Sequence, residues 1–108
     1  MKFNVQSMLE QVQKVQAEME KVKAEIAQKT VVAESGGGLV QVTMTGNNDL
    51  ISIKINKEIV DPNDVEMLED LIVAAVNKAS KSAAEMASEY MKSVTGMIPN
   101  LPGLDLSI

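Results

Sequence analysis

Glu34-Ser35-Gly36-Gly37-Gly38-Leu39-Val40-Gln41-Val42-Thr43-Met44-Thr45 contains three consecutive glycines, and their role decides the fold. Such a triplet suits either a phosphate-cradling loop or a tight connection between antiparallel strands. A phosphate loop needs a helix N-terminus directly after the glycines, so that backbone N–H groups and the helix dipole face the anion. The residues after Gly38 instead alternate apolar and polar from Val40, which is the pattern of a half-buried strand. No Lys-Ser or Lys-Thr comes next, and Gln41 stands where a third dinucleotide-loop glycine would fall. Gly36, Gly37 and Gly38 are therefore expected to form a structural turn.

On the N-terminal side of the glycines, Thr30 to Ser35 is rich in β-branched residues and forms a first strand that returns through them. The second strand places Val40, Val42 and Met44 on one face and Gln41, Thr43 and Thr45 on the other. Gly46-Asn47-Asn48-Asp49 is a turn cluster in which positive φ is cheap. A third strand, Leu50 to Asn56, is expected to set Ile51, Ile53 and Ile55 on one face. These three strands make an antiparallel meander with one buried face.

Helices flank the meander. Val5, Met8, Val12, Val15, Met19, Val22 and Ile26 are separated by alternating spacings of three and four, an a/d heptad stripe that packs along another helix. Glu10 with Lys14 and Glu25 with Lys29 add i, i+4 pairs. After the third strand, Asp61 is expected to cap a long helix with Pro62 in its first position and Asp64, Glu66, Glu69 and Asp70 near its positive end. Leu68, Leu71, Ile72, Ala75, Ala79, Met86, Tyr90 and Val94 recur at helical spacing until Gly96. The expected fold class is α+β: N-terminal heptad helix, three-stranded antiparallel meander, long C-terminal helix and an extended tail. Residues 1–95 form a single domain and residues 96–108 a Pro/Gly-containing tail that either docks or remains disordered.

Helices of about 25 and 32 residues span roughly 37 and 48 Å, whereas a seven-residue strand spans roughly 23 Å. Both helices must overhang the sheet and leave apolar stripes and open strand edges uncovered in a monomer. A homodimer with projecting helices is the expected solution.

Composition narrows the chemistry. The 108 residues include no Cys, His, Arg or Trp. Disulfides, thiolate metal sites and Ser-His or Cys-His nucleophile arrangements are thereby excluded. The carboxylates Glu66, Glu69 and Asp70 pair with no nucleophile or oxyanion donor, and their place at a helix start accounts for them. No enzymatic activity, metal, cofactor or small-molecule substrate is expected. No apolar run reaches the roughly 20 residues that cross a bilayer and the start lacks a signal-peptide core, so no membrane partner and a cytoplasmic location are expected. With Phe3 and Tyr90 the only aromatic residues, stacking on single-stranded bases has almost nothing to work with. The eight methionines suit irregular helix packing.

Two stretches resemble a known family. Glu34-Ser35-Gly36-Gly37-Gly38-Leu39-Val40-Gln41-Val42 is similar to the E-S-G-G-G-L-V-x-V signature of the YbaB/EbfC family of bacterial nucleoid-associated proteins. Glu66-Met67-Leu68-Glu69-Asp70-Leu71-Ile72-Val73-Ala74-Ala75-Val76-Asn77-Lys78-Ala79 resembles that family's E-M-L-E-D-L-v-x-A-A-x-N-x-A stretch. The Met- and Gln-rich opening helix and the Leu-Pro-Gly tail agree as well. Asn56-Lys57 stand where the family often has Asp-Pro, and the family's short glycine-rich opening is missing. The resemblance implies a dimer with helices projecting like tweezers, double-stranded DNA binding with little sequence specificity, and a role at the nucleoid in its organisation or in gene regulation.

The net charge of −5 opposes phosphate binding, but its distribution is uneven. Residues 1–29 carry five lysines against four glutamates, and residues 77–95 three lysines against two; residues 57–76 set one lysine against six carboxylates. Lys14 and Lys21 share one heptad position with Lys23 on a flank, and Lys78 and Lys81 are i, i+3 neighbours with Lys92 further along. These six are the candidate phosphate contacts. Without Arg, bidentate guanine reading and narrow-groove insertion lose their usual agent, so binding is expected to be weak, salt-sensitive and blind to sequence. The competing expectation is a helix-mediated clamp for a protein partner, with no direct role at DNA.

Overall fold

The structure, a computed structural model, describes residues 4–95. The chain runs α1 (Val5–Gln28), β1 (Thr30–Ser35), β2 (Val40–Thr45), β3 (Leu50–Ile55), a 3-10 turn (Lys57–Ile59) and α2 (Val65–Thr95). The expected α+β order is present. The anticipated tail, residues 96–108, lies outside the described residues.

Asn4 begins α1: its side-chain oxygen accepts from the backbone N–H groups of Gln6 and Ser7, satisfying donors that the first helical turn leaves open. The helix ends one residue before Lys29, whose backbone is extended. Glu25 and Lys29 are therefore not a pair on one helix surface, and both side chains turn instead to α2.

The sheet is antiparallel with strand order β1-β2-β3. Gly36, Gly37 and Gly38 all take positive φ, +61°, +68° and +94°, as their connection between β1 and β2 demands. In the second turn the positive φ belongs to Asn48, while Gly46 serves a different need. A Cβ on Gly46 would collide with the Ile26 carbonyl oxygen and lie 3.1 Å from Met86 Cε. Gly46 thus lets β2 pass between the end of α1 and α2.

Val40, Val42 and Met44 are buried beneath α2, which lies across β1 and β2. The helix meets the sheet through Ala75, Ala79 and Ala83, spaced by four and all fully buried. Small side chains bring the helix backbone close to the sheet and leave room for the valines. Ala83 extends the apolar positions foreseen for this helix. Ser35 Oγ donates to the Leu71 carbonyl at 2.6 Å, and Ser80 Oγ donates to Asn48 Oδ1 at 3.1 Å, so each hairpin turn is tied to α2.

The meander departs from expectation at β3. Thr43 pairs with Ser52 but Met44 pairs with Leu50, leaving Ile51 as the extra residue of a bulge. Leu50, Ile53 and Ile55, not Ile51, therefore stand opposite Met44, Val42 and Val40. They extend the buried face sideways, yet every residue of β3 is exposed because α2 stops short of it.

The start of α2 also differs. Asp61 Oδ1 accepts from the Asn63 N–H, and the Asp64 N–H returns to the Asp61 carbonyl, so Asp61-Pro62-Asn63-Asp64 is a turn. Asp64 occupies the cap, accepting from the Met67 N–H at 3.3 Å, and the helix begins at Val65. Proline at the second position of a turn accounts for the shift.

Candidate nucleic-acid interface

The heptad stripe of α1 packs on α2 only near its C-terminal end. Ile26 and Met86 both lie against Gly46, and the Tyr90 hydroxyl donates to Glu25 Oε2. Lys29 Nζ lies 4.7 Å from the centroid of the same ring, a cation–π contact. The Glu25 hydrogen bond, then desolvation and the charge of Glu25, raise the Tyr90 pKa. Nothing in the spacing of residues 25, 29 and 90 announces this latch; only the fold brings them together.

From the latch α1 runs onward. Its 24 residues span about 36 Å, and the molecule measures 75 Å by 19 Å by 17 Å. That length requires α1 to continue past the end of α2 as an arm. Val22 and Ile26 are buried, Val15 and Met19 are half-buried, and Val5, Met8 and Val12 are exposed. The seven-residue stripe is thus a packed seam at one end and an open one at the other.

The lysines are spread over both helices of this frame. Lys14, Lys21 and Lys23 are exposed on α1, the last two beside its packed seam, and Lys78, Lys81 and Lys92 are exposed on α2. At about 100° per residue, Lys14 and Lys21 share one side of α1, whereas Lys23 is turned roughly 160° from Lys21. Lys81 and Lys92 line a shallow depression with Ala84, Glu85, Ser88 and Glu89. The six do not form one patch, and two carboxylates share the α2 surface with them.

The acidic segment lies elsewhere. Residues 57–76 sit around the beginning of α2, beside the glycine turn, where Leu71 approaches Gly36. From Asp70 to Lys92 the helix rises about 33 Å, whereas charges are screened over roughly 8 Å at physiological salt. The negative total therefore does not govern the potential at the arm. Among the described residues no group of three or more carboxylates is placed to hold a metal ion, and no helix is long and apolar enough to cross a membrane.

Residues 1–98 match the model of the YbaB/EbfC DNA-binding family. The chain belongs to that family. A nucleoid-associated protein of Alkaliphilus metalliredigens is 52% identical over 101 residues, covering 94% of this chain and 88% of that protein. One from Thermoanaerobacter pseudethanolicus is 47% identical over 102 residues, with 94% and 91% covered. The crystal structure of uncharacterized protein HP0035 from Helicobacter pylori superposes with a TM-score of 0.74 at 18% identity, covering 88% of this chain and all of that one. This last likeness is one of fold. Within the family frame the E-S-G-G-G signature is structural: Ser35 holds α2, and the glycines supply the turn.

Proposed function

We propose that this protein is a homodimeric nucleoid-associated protein that binds double-stranded DNA with little sequence specificity and contributes to nucleoid organisation or gene regulation. The match of residues 1–98 to a DNA-binding family carries this reading. Exposed lysines on the two helices support it: Lys14, Lys21 and Lys23 on α1, and Lys78, Lys81 and Lys92 on α2. Each is a point charge suited to a phosphate and unsuited to bidentate base reading. The dimer reading rests on β3, an edge strand whose Leu50, Ile53 and Ile55 continue the buried face without cover. A second copy packed there would bury these side chains and leave both arms free.

Two measurements test the reading. Sedimentation at micromolar concentration is expected to give twice the 11.6 kDa chain mass; a single-chain mass would contradict the dimer. Mobility shifts on unrelated duplexes are expected to agree with one another and to weaken steeply as salt rises. No shift at about 50 mM salt would favour instead a protein-clamping role for the exposed arm.

A further inference from the structure

With no cysteine in the chain, methionine carries all of its sulfur, and Met86 stands where the attachment of α1 is made. α1 holds to the body through its later turns alone: Val22 and Ile26 are buried, whereas every described residue before Val15 is exposed. It passes into β1 through the single residue Lys29, whose carbonyl accepts from the Gly46 N–H at 3.0 Å. Ile26 and Met86 both crowd that glycine, leaving no room there for a Cβ. Tyr90, which donates to Glu25, lies one turn beyond Met86 on the same side of α2.

These surroundings suit a thioether and offer nothing to a sulfoxide. Around the point that a Gly46 Cβ would occupy stand Met86 Cε, Ile26 Cγ2 and the Ile26 carbonyl oxygen. That carbonyl is an acceptor, already bound by the Lys29 N–H at 3.2 Å, and the Gly46 N–H is committed to Lys29. A sulfoxide oxygen is itself an acceptor, so here it brings a polar group and added volume to a close-packed contact without a donor. Other methionines lack this combination. Met8 and Met67 are exposed, where water solvates a sulfoxide, and Met44 is buried at 3% beneath α2, away from any oxidant. Met86 is half-buried, so it is both open to a small oxidant and part of the joint.

We propose that Met86 is a modification site at which a hydroperoxide forms methionine sulfoxide and thereby releases α1 from the body. A sulfur lone pair attacks one peroxide oxygen, an S–O bond forms and the O–O bond breaks. With hydrogen peroxide, the proton of the transferred hydroxyl passes to the departing hydroxide, which leaves as water. Sulfur loses two electrons and the peroxide gains them. Methionine sulfoxides are reduced enzymatically, so the release is reversible. It depends on neither DNA binding nor dimerisation.

The test treats the full-length protein with hydrogen peroxide and maps sulfoxide by peptide mass. Met86 is expected to oxidise faster than Met44; equal rates would mean that oxidation follows global unfolding and would overturn the proposal. In protein oxidised at Met86, amides of residues 15–28 are expected to exchange about ten-fold faster than before treatment. Met86→Leu conserves apolar volume and has no thioether, so the same treatment is expected to leave its exchange in residues 15–28 unchanged. An equal acceleration in Met86→Leu would assign the effect to another methionine and overturn the proposal. Tyr90 is the only tyrosine and there is no tryptophan, so near-ultraviolet absorbance follows its hydroxyl alone. Its raised midpoint is expected to fall toward the ordinary value on oxidation, as the bond to Glu25 is lost. Unaltered exchange in residues 15–28, or an unaltered Tyr90 midpoint, would contradict release.

Discussion

Ala75, Ala79 and Ala83 let α2 close on β1 and β2, whereas Val5, Met8 and Leu9 at the other end of the molecule meet solvent. Both regions are built on helices with regular apolar stripes. In the body the stripe is narrow and small, and it seats against a sheet whose valines fill the space. In the arm the stripe is larger and spaced for another helix, but α2 accompanies only half of it. A stripe in sequence therefore guarantees a surface that seeks burial, and the neighbour's length decides how much is buried.

The joint between the regions should give the largest effect. Gly46→Ala forces a Cβ against the Ile26 carbonyl, which cannot move without displacing the end of α1. We expect a loss of about 3 kcal/mol in urea unfolding; an unchanged midpoint would show that the joint is loose. Next comes a matched pair. Val42→Ala in the fully buried body is expected to cost about 2 kcal/mol, and Met8→Ala in the exposed arm under about 1 kcal/mol. Equal costs would erase the distinction between body and arm.

The smallest effect concerns the latch. The raised Tyr90 pKa means the folded chain holds that proton more tightly than the unfolded chain. Its contribution is complete below about pH 10 and is lost as pH rises through the raised value, since a phenolate cannot donate to Glu25. Stability of the unaltered protein should fall more steeply above that pH than stability of Tyr90→Phe. Parallel profiles would remove Tyr90 from the arm's attachment.

Periodicity and turn chemistry made most of this fold legible. The heptad from Val5 to Ile26, the alternation from Val40 to Met44 and the three glycines each express a local rule that the tertiary structure obeys. The exceptions arise where a neighbour decides. The bulge at Ile51 changes which β3 residues join the apolar face, and nothing in Leu50 to Ile55 alone selects it. Asp61 and Asp64 are both good caps, and the turn through Pro62 gives the place to Asp64. The latch joins residues 65 positions apart, beyond any local pattern. Exposed lysines can be picked out by sequence, but helix geometry separates Lys23 from Lys14 and Lys21 and sets Glu85 and Glu89 beside Lys81 and Lys92.

In the proposed function the lysines of α1 engage phosphate without regard to sequence. The salt dependence of duplex affinity decides this, measured on two unrelated duplexes for the unaltered protein and for Lys14→Gln/Lys21→Gln/Lys23→Gln. Each phosphate contact contributes about 0.9 to the slope of log affinity against log salt. The expected result is a slope shallower by up to about 3 for each engaged copy of α1, with affinity reduced alike on both duplexes. An unchanged slope and affinity, or a loss confined to one duplex, would contradict phosphate engagement by α1.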